Sequence, residues 1–216
     1  MSADLFQGFL SNNRAEFGKL SGKKVVQNYG DLVAEHRYLT QKVALIDLTS
    51  RGAMAALGDD RVKYINGQVT NEVMGLRPGQ GCYAALVNVK AKMQSDLNIY
   101  RLEDELILDF EPGQFEVVKT RLERNIVSDQ VELVDVSPHF GLLSLQGPDT
   151  CGLLESIGFS FPVEPLSHNK VSTPNMGEWF LMHGGRPSKP MVQVVRVSIT
   201  VFQTACSTPL PSSSDT

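Results

Sequence analysis

Apolar residues along this chain recur first at helical spacing and then in alternation, so helices and strands take turns. Asp31 stands at an N-cap position ahead of Leu32, His36, Leu39 and Val43, which share a helical face. Val43–Leu48 reads as a strand, and a short helix is expected between Asp60 and Gly67, ended by Asn66-Gly67. After the Pro78-Gly79 turn, Cys82–Asn88 and Gln94–Leu102 are strand-like runs joined by a polar loop holding Lys90 and Lys92. Glu105–Glu111 is a third strand, stopped by Pro112-Gly113. Phe115, Val118, Leu122 and Ile126 then mark a helix whose Lys119, Arg121 and Arg124 lie toward its C-terminus, where the dipole favours cations. Val131–Val136 and Gly141–Gln146 read as strands, and Thr150–Ile157 as a short helix. Residues 1–30 read as a lead-in packed on the body.

Two segments echo each other. Gly52, Gly58 and Asp60 match Gly141, Gly147 and Asp149 at one constant offset, each set describing a strand, a glycine turn and an acid at a helix start. Strand–turn–helix units resemble one another by default; a true repeat would be a duplicated βα element within one layer. A strand hairpin between the two units fits an α+β fold with mixed or antiparallel sheets and split βαβ, ferredoxin-like elements better than an alternating parallel sheet. Met191–Phe202 has strand character but no turn or partner after it, and Thr204–Thr216 is rich in Ser, Thr and Pro, a composition that stays disordered.

Composition narrows the function classes. The 216 residues are 42% hydrophobic and 20% charged, with a net charge of −4, so there is no basic footprint for nucleic acid. Cys82, Cys151 and Cys206 are widely spaced and form no metal or disulfide framework, and no apolar run suits a membrane span. A cytoplasmic protein without a bound metal is expected. Phosphate-loop, dinucleotide-binding, zinc-protease and serine-hydrolase motifs are missing from the sequence.

Chemistry concentrates in Met93–Tyr100. On a strand, Leu97, Ile99 and Arg101 share one face, and Asp96, Asn98, Tyr100 and Leu102 the other, about 6–7 Å apart per step. Such a polar file is either the solvated face of a sheet or a cleft wall offering a carboxylate, an amide and a phenol to a flat heteroaromatic ligand. His36 reads as a partly buried imidazole, Cys82 as a small buried hydrophobe and Trp179 as packing.

Ile46-Asp47-Leu-Thr-Ser-Arg-Gly52, Asn66-Gly-Gln-Val-Thr-Asn71-Glu-Val, Leu76-Arg-Pro-Gly-Gln80-Gly-Cys-Tyr83-Ala-Ala-Leu-Val-Asn88, Asp96-Leu-Asn-Ile-Tyr100 and Leu143-Ser-Leu-Gln-Gly147-Pro148 follow one another along the chain. In order and spacing this set resembles the N-terminal, folate-binding part of the glycine-cleavage T-protein (aminomethyltransferase) and YgfZ-type superfamily. Asn28-Tyr29-Gly30-Asp31 and Glu35-His36 fit the same positions. The resemblance implies a tetrahydrofolate pocket. It makes Asp96 the counterpart of the catalytic acid, the second of an Asp-Asp-Leu run, with Ser95 in place of the first. It puts Tyr83, Asn98 and Tyr100 on the pocket wall, Arg51 where T-proteins often carry Met, and Glu111 where they carry a pterin-contacting Asn.

The resemblance fades after about Leu181. Residues 1–182 are therefore expected to form a folate-binding region, incomplete at its C-terminus, and 183–216 a largely disordered tail outside the family, as in a truncated or frame-shifted copy. Three functions follow from it. Ser95 and the Leu108-Asp109-Phe110-Glu111-Pro112-Gly113 run favour a YgfZ-type, tetrahydrofolate-binding protein tied to one-carbon metabolism and iron–sulfur enzyme maintenance. The alternatives are an aminomethyltransferase that works with a lipoyl carrier protein, and a non-functional remnant.

Overall fold

The computed structural model describes residues 8, 10–160, 162–173, 177–184 and 193–200. A hairpin of β1 (Glu16–Leu20) and β2 (Lys23–Asn28) leads into helix α1 (Leu32–Gln41) and strand β3 (Ala44–Asp47). Next come β4 (Gly52–Leu57), α2 (Arg61–Asn66), β5 (Gly81–Val87), β6 (Met93–Arg101), β7 (Leu106–Phe110), α3 (Phe115–Glu123) and β8 (Glu132–Asp135). After a single 3₁₀ turn follow β9 (Phe140–Gly147), α4 (Thr150–Ser156), β10 (His168–Thr173), β11 (Gly177–His183) and β12 (Gln193–Thr200). The class is α+β with antiparallel pairing throughout, as the sequence pattern predicts. The lead-in is more structured than its composition suggests, because Ser21-Gly22 adopts the positive φ that a tight hairpin needs.

Two five-stranded sheets carry the fold, in the orders β5-β6-β7-β4-β8 and β10-β11-β12-β9-β3. The orders correspond strand for strand. In the first, β4-α2-β5-β6-β7 is followed by α3-β8; in the second, β9-α4-β10-β11-β12 is completed by α1-β3 from earlier in the chain. The second unit is a circular permutation of the first. The glycine echo is therefore a real repeat, with one copy in each sheet and not two within one layer.

The turns repeat in detail. Gly58 has φ +94° and Gly147 φ +141°, and a Cβ on either would lie 2.1 Å from a carbonyl oxygen, that of Gln130 or of Lys42. Those same carbonyls accept from Asp60 N (3.3 Å) and Asp149 N (3.2 Å). Neither acid caps its helix with its side chain, contrary to the expectation from spacing; Asp60 instead accepts from the Gln130 amide at 2.9 Å. Asp31 does cap α1, accepting from Ala34 N at 2.9 Å. His36, read as partly buried, is exposed, since α1 buries none of its residues.

Alternation sorts the side chains into layers. Leu97, Ile99, Leu106, Leu108 and Phe110 on the first sheet pack against Val118 and Leu122 of α3 and Ile65 of α2 in the main core. Each such fully buried side chain is worth about 1.5–3 kcal/mol. Leu143 and Leu145 of the second sheet pack against Leu154 of α4, with Phe159 and Trp179 beside them. The two remaining sheet faces look at each other, with Tyr100 and Ile107 on one side and Leu142 and Met182 on the other. Helix, sheet, sheet and helix form four layers.

One expectation fails inside the segment read as a tail. Residues 193–200 are not an unpartnered strand: β12 pairs with β9 from Gln193↔Gly147 to Thr200↔Phe140 and with β11 on its other side. It is the counterpart of β7, and the sequence hid this because its partners lie far away in the chain. Thr204–Thr216 lies outside the described residues. Ending the chain at residue 192 should strand β11, and the fluorescence of Trp179, the sole tryptophan, should shift to the red with loss of a cooperative melt. Unchanged emission and melting would show that β12 does not hold the second sheet together.

Candidate functional site

The face of the first sheet turned toward the second carries a polar band across four strands. Register sets Ala53 opposite Asp109 and Asn98 opposite both Asp109 and Tyr83. Arg51, just before β4, donates from Nε to Asp109 Oδ1 at 2.6 Å and from Nη2 to Oδ2 at 3.2 Å. Asn98 Nδ2 donates to the same Oδ2 at 2.8 Å. Arg51 also pairs through Nη1 with Glu111. Farther along β6, Asp96 Oδ2 accepts from the Tyr83 hydroxyl at 3.0 Å. On the opposite, helix-side face, Gly52 makes room for the Phe110 ring, which a Cβ there would approach to 2.1 Å.

Electrostatics keeps the band charged. Side-chain exposure is 11% for Arg51 and 9% for Asp109. Burial alone would lower the Arg51 pKa, but the Asp109 and Glu111 carboxylates outweigh it and hold the guanidinium above its ordinary value. A fork of two parallel donors on one carboxylate fixes both groups in orientation as well as in charge.

Between the sheets lies a cavity of about 620 Å³, its open mouth included. Its wall is mostly apolar, with Leu102, Ile107, Leu142, Phe180 and Met182, and its polar lining includes Arg51, Asp109, Tyr100 and His168. Among the residues singled out from sequence, Arg51 and Tyr100 stand in this wall. Asn98 clamps Asp109 from behind, Glu111 lies on the exposed side of Arg51, and Asp96 and Tyr83 continue the file beyond the cavity. The polar file therefore belongs to the face between the sheets, where Tyr100 is 2% exposed.

Ser95 lies on the opposite face of β6 from Asp96 and is buried toward the helices. A change at that position alters packing and not the cavity side. Asp109 stood out in the sequence only as part of the Leu108–Gly113 run and not as a site residue, although a lone acid inside Leu106–Phe110 was a usable signal. His168, Phe180 and Met182 lie on strands that carried no recognisable motif. Cys82 is buried as expected, with its thiol pKa pushed up by burial. Among the described residues, no cluster of three or more His, Cys, Asp and Glu could hold a metal ion, and no helix is long and apolar enough to cross a membrane.

Residues 6–177 match the profile of the GCVT N-terminal domain. The chain belongs to that family. It is similar to the aminomethyltransferases of two strains of Thermus thermophilus, 26% identical over 130 residues that make up 60% of this chain and 37% of theirs. The chain thus spans little more than a third of the length of these curated relatives. The crystal structure of glycine cleavage system aminomethyltransferase T from Bartonella henselae shares the fold, with a TM-score of 0.77 at 20% identity over 90% of this chain and 52% of that one. For this GCVT-family chain, the relatives' names favour the aminomethyltransferase alternative over the YgfZ-type reading that the sequence put first.

Two tests probe the wall. Arg51→Met leaves the Asp109 carboxylate buried without its cation and should cost about 3 kcal/mol or more in urea unfolding, most of it recovered in the double variant Arg51→Met/Asp109→Leu. Equal losses in both would show that the stranded Asp109 carboxylate is not the source of the cost. His168 is 7% exposed, and burial lowers its pKa against a smaller opposing hydrogen bond to the Arg101 backbone. The unfolded chain takes up this proton first, near the ordinary value of 6.5. Stability from the neutral ring is thus complete above that pH and is lost as pH falls through the lower folded-state pKa. The drop in melting temperature from pH 7.5 to 5.5 should be smaller in His168→Gln than in the parent.

Proposed function

We propose that this chain is the folate-binding part of an aminomethyltransferase-type protein, with tetrahydrofolate held between its two sheets. The observation that carries the reading is the cavity itself. It offers apolar surfaces for a flat ring and one wall stiffened by a clamped carboxylate, and it continues along β6 to a second acid. Good ligand sites combine concave apolar walls with a few fixed polar groups in this way. Membership of the GCVT family supports the choice of ligand.

Bound tetrahydrofolate would supply a nucleophilic ring nitrogen that takes up a one-carbon unit from an aminomethyl group on a lipoyl carrier protein, with release of ammonia. The chain's own part is positioning and charge. Tyr100 and Ile107 would contact the ring, and the Arg51–Asp109–Asn98 cluster keeps that wall rigid. Asp96, with Tyr83 donating to one of its oxygens, is the acid placed to stabilise positive charge beyond the cavity mouth. Glu111, engaged by Arg51, is less available to read pterin N–H groups than the resemblance implies. Ser95, one of the two grounds for the YgfZ-type reading that the sequence put first, faces the helix-side core and so lends that reading little support.

Titration calorimetry with tetrahydrofolate tests this reading. The parent should bind, and Leu142→Trp, which fills the cavity, should abolish binding while the fold persists. Asp96→Asn should weaken binding roughly ten- to hundredfold, the worth of a charge-assisted hydrogen bond, with little change in melting temperature. Binding that survives Leu142→Trp would place the ligand elsewhere.

A further inference from the structure

Strands β5 and β6 are joined by a turn whose shape is fixed from within. The Asn88 side-chain oxygen accepts from the amides of Lys90 (2.9 Å) and Lys92 (3.1 Å). The Asn88 amide donates to Lys92 O at 3.0 Å, and the Ala91 amide to Asn88 O at 2.9 Å. These bonds hold Ala91 at a φ of +57°, a left-handed conformation that residues with a Cβ seldom adopt. Backbone of this kind persists only where its surroundings over-determine it, and it collects at functional places.

The turn presents an apolar centre between cations. Val89 is fully exposed at its apex, and Met93 is 66% exposed at its base. Lys90 and Lys92 stand beside them in solvent, and among the described residues neither has an ion-pair partner. The Arg121 guanidinium adds positive charge beneath, with Nε donating to Val87 O at 3.3 Å. Apolar side chains rimmed by charge mark protein-binding surfaces. The whole chain has a net charge of −4, so this end is a positive island on a negative molecule. A local acidic patch on a protein can match an island of this size. The extended negative charge of a nucleic acid or a membrane would also face the negative remainder of the chain.

The bulge between Leu86 and Val87 settles where this surface lies. It leaves Gln94 unopposed and sets Met93 across from Val87, on the face that Ala85 and its partner Asp96 share. From the tip, Met93 and then Asp96 lead along that face toward the cavity, about 10 Å apart along the strand.

We propose that the β5–β6 tip is a docking surface for the carrier protein that delivers the one-carbon unit. It meets an acidic patch on that carrier, with Val89 and Met93 in contact and Lys90 and Lys92 around them. The inference rests on the aminomethyltransferase-type reading above. It goes beyond that reading by naming the surface of this chain that receives the carrier and the charge the carrier must bear. A carrier seated there brings its arm to Asp96 from outside, so carrier and ring ligand occupy separate places.

The test is calorimetric titration of the full chain with a lipoylated carrier protein of negative net charge, at low and high salt, and separately with tetrahydrofolate. The parent should bind the carrier, more tightly at low salt. Lys90→Glu/Lys92→Glu should weaken carrier binding about tenfold or more at low salt and leave tetrahydrofolate within about twofold. Val89→Ser should weaken the carrier about three- to tenfold at either salt, because it removes apolar contact alone. Lys19→Glu/Lys23→Glu makes the same charge change on the exposed β1–β2 hairpin and should bind the carrier as the parent does. Melting curves of each variant establish that it folds. Equal weakening by the two lysine pairs overturns the inference, since net charge alone would then account for it. A parent that binds tetrahydrofolate but no carrier also overturns it, and the folate reading survives. A parent that binds the carrier but not tetrahydrofolate overturns the folate reading and leaves the docking surface standing. Binding to phosphatidylserine vesicles that Lys90→Glu/Lys92→Glu abolishes, with the carrier ignored, overturns the inference by giving the tip to a membrane.

Discussion

The Asp109 carboxylate sits 6% exposed on a sheet face, and the rest of the site depends on how it is kept there. A lone carboxylate moved out of water would cost several kcal/mol, so it stays only if matched. Arg51 matches it with a two-pronged donor, and Asn98 adds a third hydrogen bond from the neighbouring strand. These contacts cross from the start of β4 to β7 and on to β6, so the clamp exists only when all three strands are in register. A slip of one residue would turn Asp109 into the apolar layer against α3 and bring Leu108 to the cavity. The charge cluster thus reports the sheet's register as well as furnishing one wall of the site.

Much of the first sheet was legible because its strands neighbour one another in sequence. Leu97 and Ile99 against Asp96, Asn98 and Tyr100 was enough to separate the two faces of β6, and the turns at Pro78-Gly79 and Pro112-Gly113 bounded the run. What periodicity could not tell was whether the polar face met water or another sheet, because the second sheet is assembled from both ends of the chain. Its strand β9 pairs with β3, about a hundred residues earlier, and with β12, some fifty later. Contacts at such separation leave no local pattern. For this reason His168, Phe180 and Met182 were invisible as site residues, and β12 looked like an orphan.

The repeat shows why a cavity forms at this place. Two units of like topology meet through the faces their helices leave bare. Equivalent strands contribute to the wall from both sides, Gly52 and Ala53 of β4 with Leu142 of β9, and Tyr100 of β6 with Phe180 and Met182 of β11. Had both faces been purely apolar they would have closed into a core, as the cluster around Tyr100, Leu142, Leu166 and Met182 does locally. The clamped Arg51–Asp109 pair cannot be pressed against aliphatic side chains without losing its remaining hydration, and Ala53 leaves space where a larger residue would fill it. Charge on one rim and the small Ala53 beside it keep the cavity open.

The two units have diverged in a way that assigns them different tasks. The first presents ionic and amide groups braced against one another, Arg51 with Asp109 and Glu111, Asn98 with Asp109, and Tyr83 with Asp96. The second presents apolar surface from Leu142, Phe180 and Met182, together with the buried His168. A braced network resists rearrangement, so it suits fixing charge where a reaction develops it, since such groups need not reorganise as it appears. From one duplicated framework the chain has built a wall that holds charge still and a facing wall that offers mainly apolar surface.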